Sequence, residues 1–159
     1  MSKRFLVAIE LAPPAAEDVL GKATALVAPS DTVDVLYVVD PTTVIYAADP
    51  TLTGKMYTEM YERAMANARR RLGEICEPFS VSSERRHVRY GRVAEEVHDF
   101  IREHDFDALM IGTHGRSGWR RILGSKAASI LHGVPVDTWG FRVRSDEVMD
   151  TLGTAVKPR

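Results

Sequence analysis

The chain has 159 residues, 45% of them apolar, and a formal net charge of −1. That length suits one domain, and a charge so near zero gives no overall attraction to nucleic acid or to an anionic membrane. The single cysteine, Cys76, excludes an internal disulfide, and no run approaches the ~18–20 apolar residues of a membrane span.

Lys3 and Arg4 precede FLVAI, but Glu10 cuts that run too short for a signal-peptide core, so the chain reads as soluble and cytoplasmic. Residues 4–9, RFLVAI, are apolar at both parities, which predicts a strand covered on both faces, as in a parallel sheet. ELAPP breaks it. From Ala15 a helix is expected, with Val19, Leu20, Ala23, Leu26 and Val27 on one face. Residues 32–39, TVDVLYVV, predict a second buried strand, rich in β-branched side chains.

An irregular stretch leads into a long helix over residues 55–76. Its expected inner face carries Tyr57, Met60, Tyr61, Ala64, Ala68, Leu72 and Ile75 as core packing, with Arg63, Arg69 and Arg70 outside. Cys76 continues that apolar pattern and reads as a buried, inert thiol. Residues 81–90, VSSERRHVRY, are polar and alternate poorly, which assigns them to a sheet edge.

Val93, Val97, Phe100 and Ile101 then recur at helical spacing, and residues 107–112, DALMIG, predict a further buried strand. A short helix around residues 125–132 and a last strand over residues 134–143, VPVDTWGFRV, close a domain of residues 1–144. Residues 145–159 form a tail without strong pattern. Strands alternating with helices imply βαβ units and one parallel sheet, an α/β fold of five strands and four helices. Ligands bind such sheets beyond the carboxyl ends of the strands, where strand order reverses. The ends concerned are Glu10, Val39 with Asp40, and Gly112 onward.

Residues 112–125, GTHGRSGWRRILGS, follow directly on DALMI. A Gly-rich turn between a strand and a helix presents unpaired N–H groups at the positive end of a helix dipole, a ready anion site. Gly112 and Gly115 lack a Cβ, so a phosphate or ribose can approach the backbone. Ser125 can cap the helix or bond a phosphate oxygen, and Arg116, Arg120, Arg121 and Lys126 supply countercharge. The same residues also read as a simple turn, an N-cap and a solvated basic face. The spacing is neither a Walker A loop nor G-x-G-x-x-G.

The histidines at 87, 98, 104, 114 and 132 show no metal spacing with acids or thiols; His98 and His104 read as surface or half-buried helix positions. His114 sits in the loop, within reach of a phosphate. No G-x-S-x-G elbow flanks Ser117 or Ser125, and no catalytic constellation emerges. Trp139 and Phe141 share a parity on the last strand, as does Val143. Exposed aromatics on an edge strand mark a partner interface, unless the protein's own helices cover them. Gly140 between them signals a bulge or a close backbone approach.

GRVAEEVHDFIREHDFDALMIGTHGRSGW resembles the C-terminal half of universal stress protein (UspA-type) domains, and FLVAIELAPPAAEDVL and VDVLYVVD resemble the family's first two strands. The resemblance covers roughly residues 4–143, with residues 112–118 its most specific part. It implies a Rossmann-like, adenine nucleotide alpha hydrolase-like sheet of order 3-2-1-4-5, with helices on both faces. It also implies a cytoplasmic stress-response regulator, dimeric through the last strand, that acts through protein partners rather than by catalysis. In the nucleotide-binding branch the pattern Gly-x2-Gly-x9-Gly-(Ser/Thr) holds ATP, with Mg2+ accompanying it. By position this designates Gly112, Gly115, Gly124 and Ser125 for phosphates and ribose, with His114 and Arg116 in the same loop. Val38 would lie near the adenine, after Tyr37 in the place of the family's His, and Glu10 stands where the family has Asp.

Three further features depart from the binding pattern, and two of them, Trp119 and the VD of the last strand, resemble the branch that does not bind ATP. Only eight residues, RSGWRRIL, separate Gly115 from Gly124; one residue fewer is about 100° of helical rotation and 1.5 Å of rise. Trp119 stands within the loop, and VDTWGFRV replaces the family's PVLVV at the last strand. A nucleotide-free dimer is therefore the alternative. The signatures of related adenylylating folds, His-x-Gly-His and Ser-Gly-Gly-x-Asp-Ser, do not occur.

Overall fold

The computed structural model describes residues 1–11, 14–42, 51, 53–114 and 125–143, with His114, Ser125 and Lys126 described as backbone. Its strands are β1 (Arg4–Ala8), β2 (Thr32–Val39), β3 (Arg86–Tyr90), β4 (Ala108–His114) and β5 (Asp137–Val143). The helices are α1 (Ala15–Leu26), α2 (Gly54–Cys76), α3 (Val93–Glu103) and α4 (Ser125–Leu131). Two single 3-10 turns, Glu77–Phe79 and Ser83–Arg85, join α2 to β3.

All four strand pairings are parallel, in the order β3-β2-β1-β4-β5. The expected order is thus the observed one, and β3 and β5 form the edges. Central strands send alternate side chains to opposite faces. Phe5, Val7, Val35, Val39, Ala108 and Met110 face one side, where α1 and α2 add Val19, Leu20, Ala68 and Leu72. Leu6, Leu36, Val38, Leu109 and Ile111 face the other, against Val97, Phe100 and Ile101 of α3 and Ile130 of α4. A doubly covered sheet needs apolar residues at both parities, which is what RFLVAI and DALMI display. Each large side chain buried there, Leu6 and Leu109 included, stabilises the fold by about 1.5–3 kcal/mol.

Two expected helix faces differ from those observed. In α2, Met65, Ala68, Leu72, Ile75 and Cys76 are buried, whereas Tyr57 and Tyr61 remain about two-fifths exposed. A helix of 23 residues spans roughly 34 Å, and the eight residues of β2 span roughly 26 Å. The first turns of α2 therefore outrun the sheet, and Tyr61 packs edge-on against Tyr90 at 4.8 Å instead. In α1, Ala16, Val19, Leu20 and Ala23 are buried, but Leu26, in the last turn, is 60% exposed. The burial of Cys76 matches expectation, and burial pushes its thiol up to about 11, against the pull of Arg86.

Across the sheet from β1, Asp34 is a charged residue inside an apolar strand, and it is 1% exposed. Arg4 donates Nε to its Oδ2 at 3.0 Å and Nη2 to its Oδ1 at 2.9 Å. Arg85 Nη1 reaches Oδ2 at 3.2 Å, and His87 Nε2 reaches Oδ1 at 2.9 Å. A carboxylate only accepts, so His87 carries its proton on Nε2. Burial pushes the Asp34 carboxyl up, but the hydrogen bonds from His87 and Arg4 outweigh it and hold the group well below the usual carboxylate range. This cluster ties β1, β2 and the polar edge strand β3 together.

Candidate functional site

The helices that follow β1 and β4 leave the sheet on opposite faces: α1 joins one core and α4 the other. Between two neighbouring strands whose connections diverge, a crevice opens at the carboxyl ends. Here it is a cavity of about 320 Å³ that spans the ends of β2, β1 and β4. Its walls are mainly apolar, with Ile9, Val38, Val97, Ile111 and Ile130 prominent.

Glu10, Val38 and Gly112, three residues singled out in the sequence, line this cavity together. Ser125 begins α4, whose Ala127 and Ile130 also line it, and His114 ends β4. Gly115, Arg116, Gly118, Trp119, Arg120, Arg121 and Gly124 lie outside the described residues, as does the tail 145–159.

Gly112 has a packing role that the sequence did not disclose. A Cβ there would meet Val19 Cγ2 at 2.6 Å and Val143 Cγ2 at 2.8 Å. The space expected to admit a phosphate beside Gly112 is thus taken by two valines, one from α1 and one from β5. Val143 is 3% exposed and lines the cavity, so it offers no surface to a partner, in contrast to its expected place at a dimer interface. Trp139 does lie on the edge strand at 39% exposure, with its ring 5.3 Å from Phe5, and Phe141 is half-buried against the α1–α2 core. The pairing of β5 with β4 runs unbroken through Gly140, where a Cβ would lie 3.3 Å from Thr113 Cγ2; close approach, and not a bulge, accounts for that glycine.

Four polar or charged side chains, Glu10, Tyr37, Asp40 and Arg71, line the cavity. Burial raises the Tyr37 hydroxyl above the ordinary tyrosine range; Arg71 opposes the shift, and Glu10 and Asp40 reinforce it. Three charges therefore act on one phenol. Arg71 also donates Nη2 to the carbonyl of Leu11, tying α2 to the segment after β1. Sequence reasoning missed Arg71, which projects from a helix far along the chain from any strand end. Its one local signal is its place beside Leu72, on the inward side of α2.

His98 and His104 serve packing. His98 Nε2 bonds the Ile130 carbonyl at 2.6 Å and so joins α3 to α4, and His104 Nδ1 bonds the Phe100 carbonyl at 3.0 Å. Among the described residues no three His, Cys, Asp or Glu side chains gather as a metal site, and no helix is long and apolar enough to cross a membrane.

A five-stranded parallel sheet of order 3-2-1-4-5, with its crevice at the switch point, defines a small Rossmann-like α/β protein. The model of the universal stress protein family matches residues 1–142, and the chain belongs to that family. It is 32% identical over 131 residues to universal stress protein A homolog 1 of Coxiella burnetii, covering 82% of this chain and 89% of that protein. The fold is shared with the solved structure of hypothetical protein MJ0577, at a TM-score of 0.70 and 17% identity over 92% of this chain and 99% of that one. It is shared too with a universal stress protein solved in complex with cAMP, at a TM-score of 0.54 and 16% identity over 89% and 97%.

Proposed function

We propose that this protein is a cytoplasmic stress-response regulator that works as a dimer and holds an adenine nucleotide, ATP with Mg2+ foremost, in the cavity at the ends of β2, β1 and β4. The observation that carries this is the convergence of Glu10, Val38 and Gly112 on one apolar-walled space of about 320 Å³. That volume is at the lower end of ligand pockets and suits a nucleoside, with the phosphates extending toward α4. A universal stress protein of the same fold has been solved with cAMP, which supports the ligand class. The dimer would form along β5, where Trp139 stands exposed. A regulatory rather than catalytic role is in line with membership of the universal stress protein family.

A second reading has its own support. Val19 and Val143 occupy the space beside Gly112, and the glycine spacing is one residue short of the binding pattern. Under that reading the dimer acts through protein partners without nucleotide.

The two are separated by denaturing protein purified without added ligand and analysing the supernatant by chromatography and mass spectrometry. Nucleotide near one per chain, or a melting temperature that climbs with added ATP, supports the first. An empty supernatant and an unmoved melting temperature at millimolar ATP would leave the second standing.

A further inference from the structure

We propose that Arg71 is a specificity-determining residue of the cavity, whose free guanidinium N–H groups bind an acceptor on the base or ribose of the nucleotide. The inference rests on the nucleotide reading above and adds a contact from α2, an element to which no binding role has been given.

Arg71 is half-buried, lines the cavity, and spends one Nη2 donor on the Leu11 carbonyl. A guanidinium has about five N–H donors. Among the described residues no other hydrogen bond engages this one, so further donors stand at the cavity wall in a planar fork suited to ring nitrogens and paired oxygens. The wall is otherwise mostly apolar, so a donor there discriminates: a ligand lacking the matching acceptor leaves the remaining guanidinium donors unpaired in a half-buried place.

Position decides which part of the ligand is read. Arg71 comes from α2 and its charge reaches Tyr37 of β2, in company with Glu10 and Asp40. Gly112 and Ala127 lie at the other end, on β4 and α4. β2 and β4 are separated by β1, about 10 Å at two strand spacings, comparable with the reach from a base to its phosphates. The carboxylates of Glu10 and Asp40, whose charges also act on Tyr37, repel phosphate and leave the nucleoside as the half that belongs at this end.

The test is isothermal titration of the full chain with ATP, AMP and adenosine, for the wild type, Arg71→Met and Arg71→Lys. Methionine keeps most of the apolar stem and removes the fork; lysine keeps the charge and serves where the methionine variant folds poorly. The expected result is a loss of about tenfold in Kd for all three ligands, adenosine included, with a smaller loss for lysine. A loss confined to ATP and AMP would make Arg71 a phosphate countercharge and overturn the inference while sparing the nucleotide reading. An unchanged Kd in both variants would reduce Arg71 to a latch on Leu11 and overturn it likewise. A wild type that binds none of the three ligands overturns the nucleotide reading itself, and this contact with it.

Discussion

Arg4 holds Asp34 from the neighbouring strand with two hydrogen bonds, Nε to Oδ2 at 3.0 Å and Nη2 to Oδ1 at 2.9 Å. The pair sits where β1 and β2 begin to run together, and Arg85 and His87 complete the shell around the carboxylate. Four donors from three side chains on one buried acceptor make this the principal ionic tie of the β3 edge. Asp34→Ala would strand those donors and is expected to lower unfolding free energy by roughly 3–5 kcal/mol, toward the lower figure because both arginines reach water. Urea unfolding of the variant measures it. A change below about 0.5 kcal/mol, the scatter of ordinary surface substitutions, would show that the cluster is ornamental.

The same group sets an acid dependence. Its folded pKa is depressed, so the unfolded chain binds the proton more readily, and the stability it contributes is present above the unfolded value near 3.9. Stability should therefore fall as pH drops through the unfolded value toward the lower folded one. Urea midpoints taken from pH 6 downward should decline less steeply in Asp34→Asn than in the wild type. Parallel curves for the two proteins would contradict the assignment.

Gly112→Ala tests whether packing or ligand access requires the glycine. The new Cβ meets Val19 and Val143 inside ordinary contact distance, and overpacking of this kind costs about 1–3 kcal/mol. Adding Val19→Ala should recover part of the loss, because it removes the nearer contact. A variant as stable as the wild type without ligand would mean that the valines move aside freely.

Trp139→Lys addresses the β5 edge. A lysine on an edge strand discourages pairing with a second sheet, and the exposed indole area is lost with it. If the proposed dimer forms along β5, light scattering after size exclusion should show a shift from dimer to monomer, accompanied by a modest fall in melting temperature because the indole also packs on Phe5. An unchanged dimer mass would place the interface elsewhere, and a monomeric wild type would overturn the proposed dimer.

Cys76 should be chemically silent in the folded protein. It is fully buried and its thiol is raised to about 11, so at pH 8 about one part in a thousand would be thiolate. Reaction with a disulfide reagent should be slow until denaturant is added. Rapid labelling of native protein would contradict that burial.

The fold was legible where periodicity carried it. RFLVAI and DALMI are apolar at both parities because both faces of their strands are covered, and that local property requires no knowledge of partners. The polar, poorly alternating run at residues 81–90 announced an edge, and its residues 86–90 form the edge strand β3. Helix faces were legible only as far as the sheet extends beneath them: Leu72 and Ile75 follow the pattern, while Tyr57 and Leu26 carry it past the end of the core.

By itself the sequence determined the parallel sheet and the strand ends at Glu10, at Val39 with Asp40 and at Gly112, since alternation, turn residues and chain order are written residue by residue, while the strand order and the place of Val38 were what the family resemblance implied. Tertiary structure alone decided what surrounds them. Arg71 reaches the cavity, Val143 turns inward against Gly112, and Asp34 collects Arg4, Arg85 and His87, each through elements distant in the chain. Side-chain partners across such separations depend on how far one element overlaps another, and no local pattern encodes that overlap.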